Sequence, residues 1–415
     1  MSGDRRPPPN YDEGINFADL AATDEAFAKH YQNGKFNFQD PEAVQQLTLS
    51  LLARDFSLTL HLPSDRLCPP IPIRWSYILF LSRLLSPYPS KLTGLDIGTG
   101  ASAIYSLLAT SSSSPLSSST HLHATDIDPH SLSFAARNIA SNALSSRITL
   151  HHREPSSPLL PLDGLGIDNL DFTMCNPPFY AGQADLLSSA ERKDAPPSAI
   201  CTGADNEMIC PGGDAGFVLR MVEESRRLGE RVGWYTSMLG KLGSVYQVVE
   251  GIKQAGCGNW VVQVLKGGRR TRRWVVAWSW GEGRVGMGLV RGEEVPRGLW
   301  GWGTEQTVMA IGGKEEVRRR VEELMGELDL AWRWESADVG LGEARENVWS
   351  RAARRKRKRV EHSKAKDEGG EEQKAALAFK ITVTEEGIDV RWLRGRDHVL
   401  FESFCGMLKR AMSAA

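Results

Sequence analysis

Apolar residues early in the chain recur at helical spacing. Val44, Leu47, Leu51 and Leu52 share one face of a segment opened by Asp40-Pro41, an N-cap with proline in the first turn, and this predicts a helix over Glu42–Arg54. A proline-interrupted stretch follows, LCPPIPIRWSYILFLSRLL, whose pattern predicts a second amphipathic helix over Trp75–Leu85. From Lys91 the period changes. The short apolar runs LTGLDIG, HLHATDID, SRITLHH and LDFTMCNPP are separated in part by the helical segments ASAIYSLLAT and PHSLSFAARNIASNAL. Such alternation predicts an α/β domain on a parallel sheet covered on both faces. RVGWYTSML, WVVQVLK and RRWVVAWSW add three strands, making about seven in all.

The same pattern sets the domain organisation. Residues 1–90 read as a polar arm with helices, and 91–281 as the sheet domain, with SSSSPLSSST as a surface loop. Residues 282–303 are rich in Gly and Trp without a period and read as a linker. Beyond it, 304–415 show a charged amphipathic helix (EEVRRRVEELMGEL), three strands (LAWRWES, AFKITVTEE, GIDVRWLRG) and a closing helix (HVLFESFCGMLKRAM). This predicts a small α+β domain, interrupted at 351–375 by a segment too charged to pack.

Composition narrows the classes. The 415 residues carry 50 Lys+Arg against 51 Asp+Glu, a formal charge of −1, which excludes a uniformly basic coat but not local basic patches. No uncharged apolar run approaches the roughly 20 residues of a membrane span, and MSGDRRPPPN lacks the apolar stretch of a secretory signal. The six cysteines form no C-x-x-C pair and the nine histidines no H-x-x-x-H pair, so neither zinc, another metal nor a disulfide framework is expected.

Two clusters carry chemistry. Leu95-Asp96-Ile97-Gly98-Thr99-Gly100-Ala101-Ser102 follows a buried strand and opens a helix, so Gly98 and Gly100 allow a tight turn and close backbone approach to a ligand. A dinucleotide fingerprint would place a third glycine where Ala103 stands. Asp96 before the turn would repel pyrophosphate but accept bonds from an ammonium group, which favours S-adenosylmethionine over a nicotinamide dinucleotide. The second strand ends in Asp126-Ile127-Asp128; Asp126 is placed to accept ribose hydroxyls, while Asp128-Pro129 caps the next helix. The second cluster is Cys175-Asn176-Pro177-Pro178-Phe179-Tyr180 at the end of the fourth strand. Two prolines remove backbone donors, and an asparagine oxygen plus a proline carbonyl present two acceptors to one point, as a planar NH2 group requires. Drawing both N–H bonds toward acceptors favours a pyramidal nitrogen whose lone pair faces a methyl donor. Phe179 can stack on an extruded base, worth about 1–3 kcal/mol. The motif specifies an amine or amide acceptor, and adenine and a glutamine amide both satisfy it.

Taken together, FNFQDPEAVQQLTLSLLARDF, IPIRWSYI, LDIGTGASAIY, CNPPFYAGQ, GGDAGFVLRMVEES, WYTSMLGKLGS and RRTRRWVVAWSW, spread from Asn37 to Trp280, resemble the methyltransferase-like protein 16 family. These are S-adenosylmethionine-dependent RNA N6-adenosine methyltransferases that modify U6 small nuclear RNA and are related to a bacterial large-subunit ribosomal RNA adenine methyltransferase. The resemblance implies a Rossmann-like seven-stranded methyltransferase sheet, that cofactor, that RNA as partner, and a nuclear, also cytoplasmic, location. Carried over by position, the family's cofactor contacts fall on Arg74, Gly98, Ser102, Asp126 and, in a divergent loop, Ser157; Asp96, Gly100 and Asn176 join them from the residue reading. At position 126 the family usually has Glu. Asn176, Pro177, Pro178 and Phe179 match the catalytic tetrapeptide. RNA contacts map to Arg270 and Arg273, with Arg269 and Arg272 beside them, and to Lys35, Arg192 and Lys193. The run Cys201–Gly216 reads as a lid or as a mobile loop. Arg351, Arg354, Arg355, Lys356, Arg357, Lys358 and Arg359 read as a nuclear signal, an RNA-phosphate contact or both, with a charged loop of neither role as the alternative. Two alternatives stand beside the RNA reading: methylation of a protein glutamine at N5, and an RNA-binding protein without catalysis.

Overall fold

A computed structural model describes residues 9–86, 91–116, 119–185, 204–268, 271–353, 355 and 374–413. The chain divides into two units, Met1–Trp280 with Gly292–Leu299, and Gly281–Arg291 with Trp300–Ala415. The 282–303 stretch, expected to be a linker, is thus divided between them and is folded: Val285, Val290, Val295 and Leu299 are buried. These four lie four or five residues apart among glycines, too sparse for a helical or strand period to register.

In the first unit, the helices Phe17–Thr23 and Glu25–Ala28 precede a hairpin of β1 (Tyr31–Gln32) and β2 (Lys35–Phe36), and Phe17, Phe27 and Phe36 stack together. Asp40 caps the helix Pro41–Leu51 by accepting from Glu42 N at 3.0 Å. The predicted helical stretch runs on past Leu51 as a π-helical turn, Leu52–Phe56, closed by Ser57 at φ +55°. The helix Ile71–Leu84 starts four residues before the expected Trp75, because proline is tolerated in a first turn. It is buried on most sides rather than amphipathic, with Ile73, Trp75, Tyr77, Ile78, Phe80 and Leu81 all inside.

The seven strands fall where the apolar runs placed them: β3 (Thr93–Ile97), β4 (His121–Asp126), β5 (Ile148–His152), β6 (Leu170–Cys175), β7 (Val232–Leu239), β8 (Trp260–Lys266) and β9 (Arg272–Trp278). Their order is β5-β4-β3-β6-β7-β9-β8. Pairing is parallel from β5 to β7, but β9 is antiparallel to both β7 and β8, so the sheet is mixed rather than parallel. The reason is local. Residues 267–271 are too few for a crossover and can join only antiparallel neighbours. The order leaves β3 beside β6, with Ile97 opposite Cys175, so the loops after both strands open at one edge of the sheet.

The second unit is a five-stranded antiparallel sheet in the order β10-β14-β13-β12-β11, comprising β10 (Glu305–Met309), β11 (Ala331–Trp334), β12 (Val339–Ala344), β13 (Leu377–Val383) and β14 (Gly387–Arg394). The helices Lys314–Gly326 and His398–Ser413 share a core with it that includes Val321, Phe379, Ile381, Trp392, Phe404 and Leu408. Two strands, β10 and β12, escape the sequence reading. β12 is VGLGEA, and its glycines lower strand propensity for a packing reason. A Cβ at Gly340 would stand 2.1 Å from Trp332, and one at Gly342 would stand 2.2 Å from Phe379. Of the charged 351–375 insert, 354 and 356–373 lie outside the described residues, and with them Arg354, Lys356, Arg357, Lys358 and Arg359 of the basic run. Among the described residues no helix is long and apolar enough to cross a membrane.

Candidate active site

The turn after β3 is built by left-handed backbone. Gly98 (φ +69°) and Gly100 (φ +64°) supply it, and Ala103 (φ +48°) follows at the start of the helix Ile104–Thr110. The turn is tied to the end of β4: Gly98 N and Thr99 N donate to Thr125 O at 2.9 and 3.0 Å, and Gly100 N donates to Asp126 Oδ2 at 2.8 Å. Asp126 Oδ1 accepts from Asp128 N at 2.9 Å, and burial raises the Asp126 carboxyl above its usual range. Asp128 caps the helix Pro129–Ser141 through His130 N and Ser131 N and pairs with Arg66 at 2.7 Å. Partial burial opposes its ionisation, but hydrogen bonds from Ser131 and Arg66 prevail and hold it down to about 2. Asp128 is thus the helix cap, as expected, and Asp126 stands at the cavity wall.

A cavity of about 350 Å³ opens at this edge, within the range of small-ligand sites. Arg74, Gly98, Gly100, Ser102, Asp126, Ser157 and Asn176 all line it, with Pro177 and Pro178. One expected cofactor residue does not reach it. Asp96 is fully buried beneath the turn, where its Oδ2 accepts from Thr99 Oγ1 and Ser106 Oγ, both at 2.8 Å. It anchors the turn to the following helix rather than facing a ligand. Burial raises its carboxyl from an ordinary 3.8 to about 6, partly offset by the Ser106 and Thr99 hydroxyls. The native state therefore holds more protons than the unfolded chain between about pH 4 and 6, and stability falls as pH rises through that window. Asp96→Asn keeps an oxygen for both hydroxyls and is expected to flatten the dependence of the urea midpoint on pH there. An unchanged slope would contradict the assignment.

Asn176, Pro177, Pro178 and Phe179 follow β6 directly. Arg74 Nη1 donates to Asn176 Oδ1 at 3.3 Å. Among the described residues no donor reaches the Pro177 carbonyl, whereas the Pro178 carbonyl accepts from Cys210 Sγ at 3.7 Å. The free proline acceptor is therefore that of Pro177. The loop is held by 208–213: Tyr180 N donates to Met208 O and Cys210 N to Tyr180 O, both at 3.0 Å. Of the expected lid, 201–203 lie outside the described residues. The described part, 204–216, is paired through Ile209 to Tyr180 at the end of the Asn176–Phe179 loop and borders the cavity through Glu207, Ile209, Cys210 and Pro211. Glu207 Oε2 accepts from Leu67 N and Ala204 N, at 3.0 Å each. Sequence reasoning missed Glu207, Tyr105 and Ile127 at the cavity wall; Ile127, a large apolar residue left 41% exposed, carries a signal only once its place is known.

The Phe179 ring is half-buried beside Gly240, where a Cβ would stand 2.8 Å from it, and the Arg273 guanidinium lies 5.7 Å from its centroid. Gly240→Ala should push the ring aside and, if Phe179 stacks on the target base, lower kcat/KM for RNA by roughly 5- to 150-fold, the equivalent of about 1–3 kcal/mol, with cofactor affinity unchanged. Loss of cofactor affinity instead would place Phe179 outside base recognition. Of the expected RNA contacts, Arg273 is mostly withdrawn from water, and burial, then Arg74, lowers its pKa. Arg272 pairs with Glu294 at 3.2 Å, as Lys266 does at 2.9 Å, so its charge is partly neutralised. Lys35 is exposed on β2 and does not line the cavity. Arg192, Lys193, Arg269 and Arg270 lie outside the described residues.

The profile of an RNA methyltransferase family matches residues 7–282, about two thirds of the chain. The chain belongs to this family. The U6 small nuclear RNA (adenine-(43)-N(6))-methyltransferase of Schizosaccharomyces pombe is 31% identical over 393 residues, 92% of this chain and 96% of that protein. RNA N(6)-adenosine-methyltransferase mettl16 of Danio rerio is 36% identical over 277 residues, 65% of this chain and 57% of the relative, and the chain spans about half the length of the vertebrate relatives it matches. Among solved structures, the human Mettl16 catalytic domain with hairpin 1 of the MAT2A 3′UTR superposes with a TM-score of 0.59 at 35% identity, covering 68% of this chain and 95% of that one. The N-terminal domain of human METTL16 in complex with SAH superposes at 0.53 with 31% identity, covering 68% of this chain and 98% of that one.

Proposed function

We propose that this methyltransferase uses S-adenosylmethionine to methylate N6 of an adenosine in RNA, and that U6 small nuclear RNA is its substrate. The observation that carries the reading is that the Asn-Pro-Pro-Phe loop after β6 and the glycine turn after β3 border one cavity. The residues present suit the cofactor. Nothing lies within 4 Å of a Cβ built at Gly98, leaving the turn open to a ligand, and Asp126 offers a carboxylate at the cavity wall for ribose hydroxyls. Arg74, 4% exposed and with no ion pair among the described residues, is a buried cation suited to a carboxylate.

When bound, the cofactor supplies an electrophilic methyl group on a sulfonium. The chain's own part is positioning. Asn176 Oδ1 and the Pro177 carbonyl accept the two amino hydrogens of adenine, favouring a pyramidal nitrogen whose lone pair is withdrawn from conjugation with the ring and faces the methyl group. Phe179 stacks on the base, and Arg273 neutralises phosphate at the rim. The transfer needs no general base, since the methylated amine loses its extra proton to water. The second unit and the basic residues Arg351 and Arg355 are read as further RNA contacts, and a U6 substrate puts the protein in the nucleus.

The test is to incubate the full chain with methyl-labelled cofactor and a U6-derived hairpin. Label removed by nuclease supports the reading. Label that survives nuclease and is released by protease would move the substrate to a protein glutamine.

A further inference from the structure

We propose that Arg74 fixes the orientation of the Asn176 side-chain amide and is thereby a positioning residue for methyl transfer; the inference rests on the reading of the site just given. An asparagine amide has two ends of similar size and opposite hydrogen-bond character. Only the oxygen end can receive an adenine N–H. With the amide turned over, its NH2 would meet the substrate's NH2, and both would lose their partners. Something in the protein must choose the end.

Among the described residues, Arg74 is the sole hydrogen-bond partner of the Asn176 side chain, through Nη1 to Oδ1 at 3.3 Å. A guanidinium donates and never accepts, so it selects the oxygen. One lone pair of Oδ1 is then held by Arg74 and the second is left for the substrate. Arg74 is itself fixed. Its Nη1 also donates to the Tyr105 hydroxyl at 3.0 Å and to Met238 Sδ at 3.7 Å, and its guanidinium lies 5.4 Å from the Tyr105 ring centroid. The helices Ile71–Leu84 and Ile104–Thr110 and the strand β7 thus all contribute to its placement. Every side-chain hydrogen bond it makes here uses Nη1, which leaves Nη2 and Nε for a cofactor carboxylate. Lysine has no such fork and cannot serve both partners from one planar group.

The experiment compares Arg74→Lys with the unsubstituted residue in two backgrounds, the native Asn176 and Asn176→Asp, with kcat, KM for cofactor and KM for a U6-derived hairpin measured in each. A carboxylate has an oxygen at both ends, so orientation loses its meaning in the second background. The proposal expects Arg74→Lys to lower kcat at saturating cofactor by about tenfold or more with Asn176 present, and by much less in the Asn176→Asp background. A rise in KM for cofactor alone, with kcat restored at saturation, would make Arg74 a cofactor ligand only and overturn the proposal. An equal loss of kcat in both backgrounds would assign the effect to the fold and overturn it as well. Absence of RNA methylation by the unsubstituted chain would overturn the functional reading first, and is seen before any variant is made.

Discussion

Asn176→Ala should abolish methyl transfer and leave the cofactor bound. In the proposed arrangement the side chain provides one of two acceptors for the substrate's amino group, and removing one preorganised hydrogen-bonding group at a reacting centre costs about 10²–10³ in kcat. Asn176 is one of many residues that line the cavity, with the glycine turn, Ser102 and Asp126 among the others, so cofactor affinity is expected to stay within about threefold. The pair of measurements is single-turnover transfer to RNA and equilibrium binding of the cofactor's demethylated product. Transfer retained within tenfold would remove Asn176 from the chemistry. Joint loss of transfer and binding would recast it as a structural member of the cofactor wall.

Asp126→Ala should act on binding instead of turnover. The carboxylate holds Gly100 N and Asp128 N at 2.8 and 2.9 Å, so it shapes the glycine turn as well as facing the cavity. Its loss leaves two backbone donors without their charged acceptor, which loosens the turn, and removes the acceptor proposed for ribose. Hydrogen bonds to charged groups contribute about 1.5–3 kcal/mol each, so loss of the two proposed from the ribose hydroxyls predicts roughly 10²-fold weaker cofactor binding or more. Asp128→Ala is the control. It removes a helix cap and the Arg66 pair, and is expected to lower stability by about 1 kcal/mol while cofactor affinity holds. If Asp128→Ala weakened the cofactor as much as Asp126→Ala, the division of labour between them would be wrong.

The elements legible in the sequence are those whose side chains declare their own environment. The central strands of the larger sheet are short apolar runs because both faces are covered, and the runs mark the seven strands to within about three residues. The reversal of β9 is not legible in this way, since an apolar run looks the same in either direction; the brevity of 267–271 holds the signal. β12 is hidden because its glycines exist to admit Trp332 and Phe379, and that need appears only when the neighbouring strands are in place. At the site, the glycine turn, Asp126 and Asn176–Phe179 can be found from local pattern. Asp96 cannot be assigned in the same way. Whether the residue before a turn faces the ligand or the helix beneath it depends on the strand's facing, and here Ser106 in the next helix takes its oxygen. Arg74 and Asn176 are 102 residues apart, and no spacing rule connects them.

The proposed arrangement has two oxygen acceptors, one from Asn176 and one from Pro177, holding an exocyclic amino group for attack on a methyl donor. Identifying the methylated atom tests it. The purified 415-residue chain, deuteromethyl cofactor and a U6-derived hairpin are incubated, the RNA is digested to nucleosides, and the labelled nucleoside is identified by chromatography with mass spectrometry. Labelled N6-methyladenosine is the expected product. Label on a ring nitrogen of adenosine, on another base, or absent from the RNA would refute the arrangement.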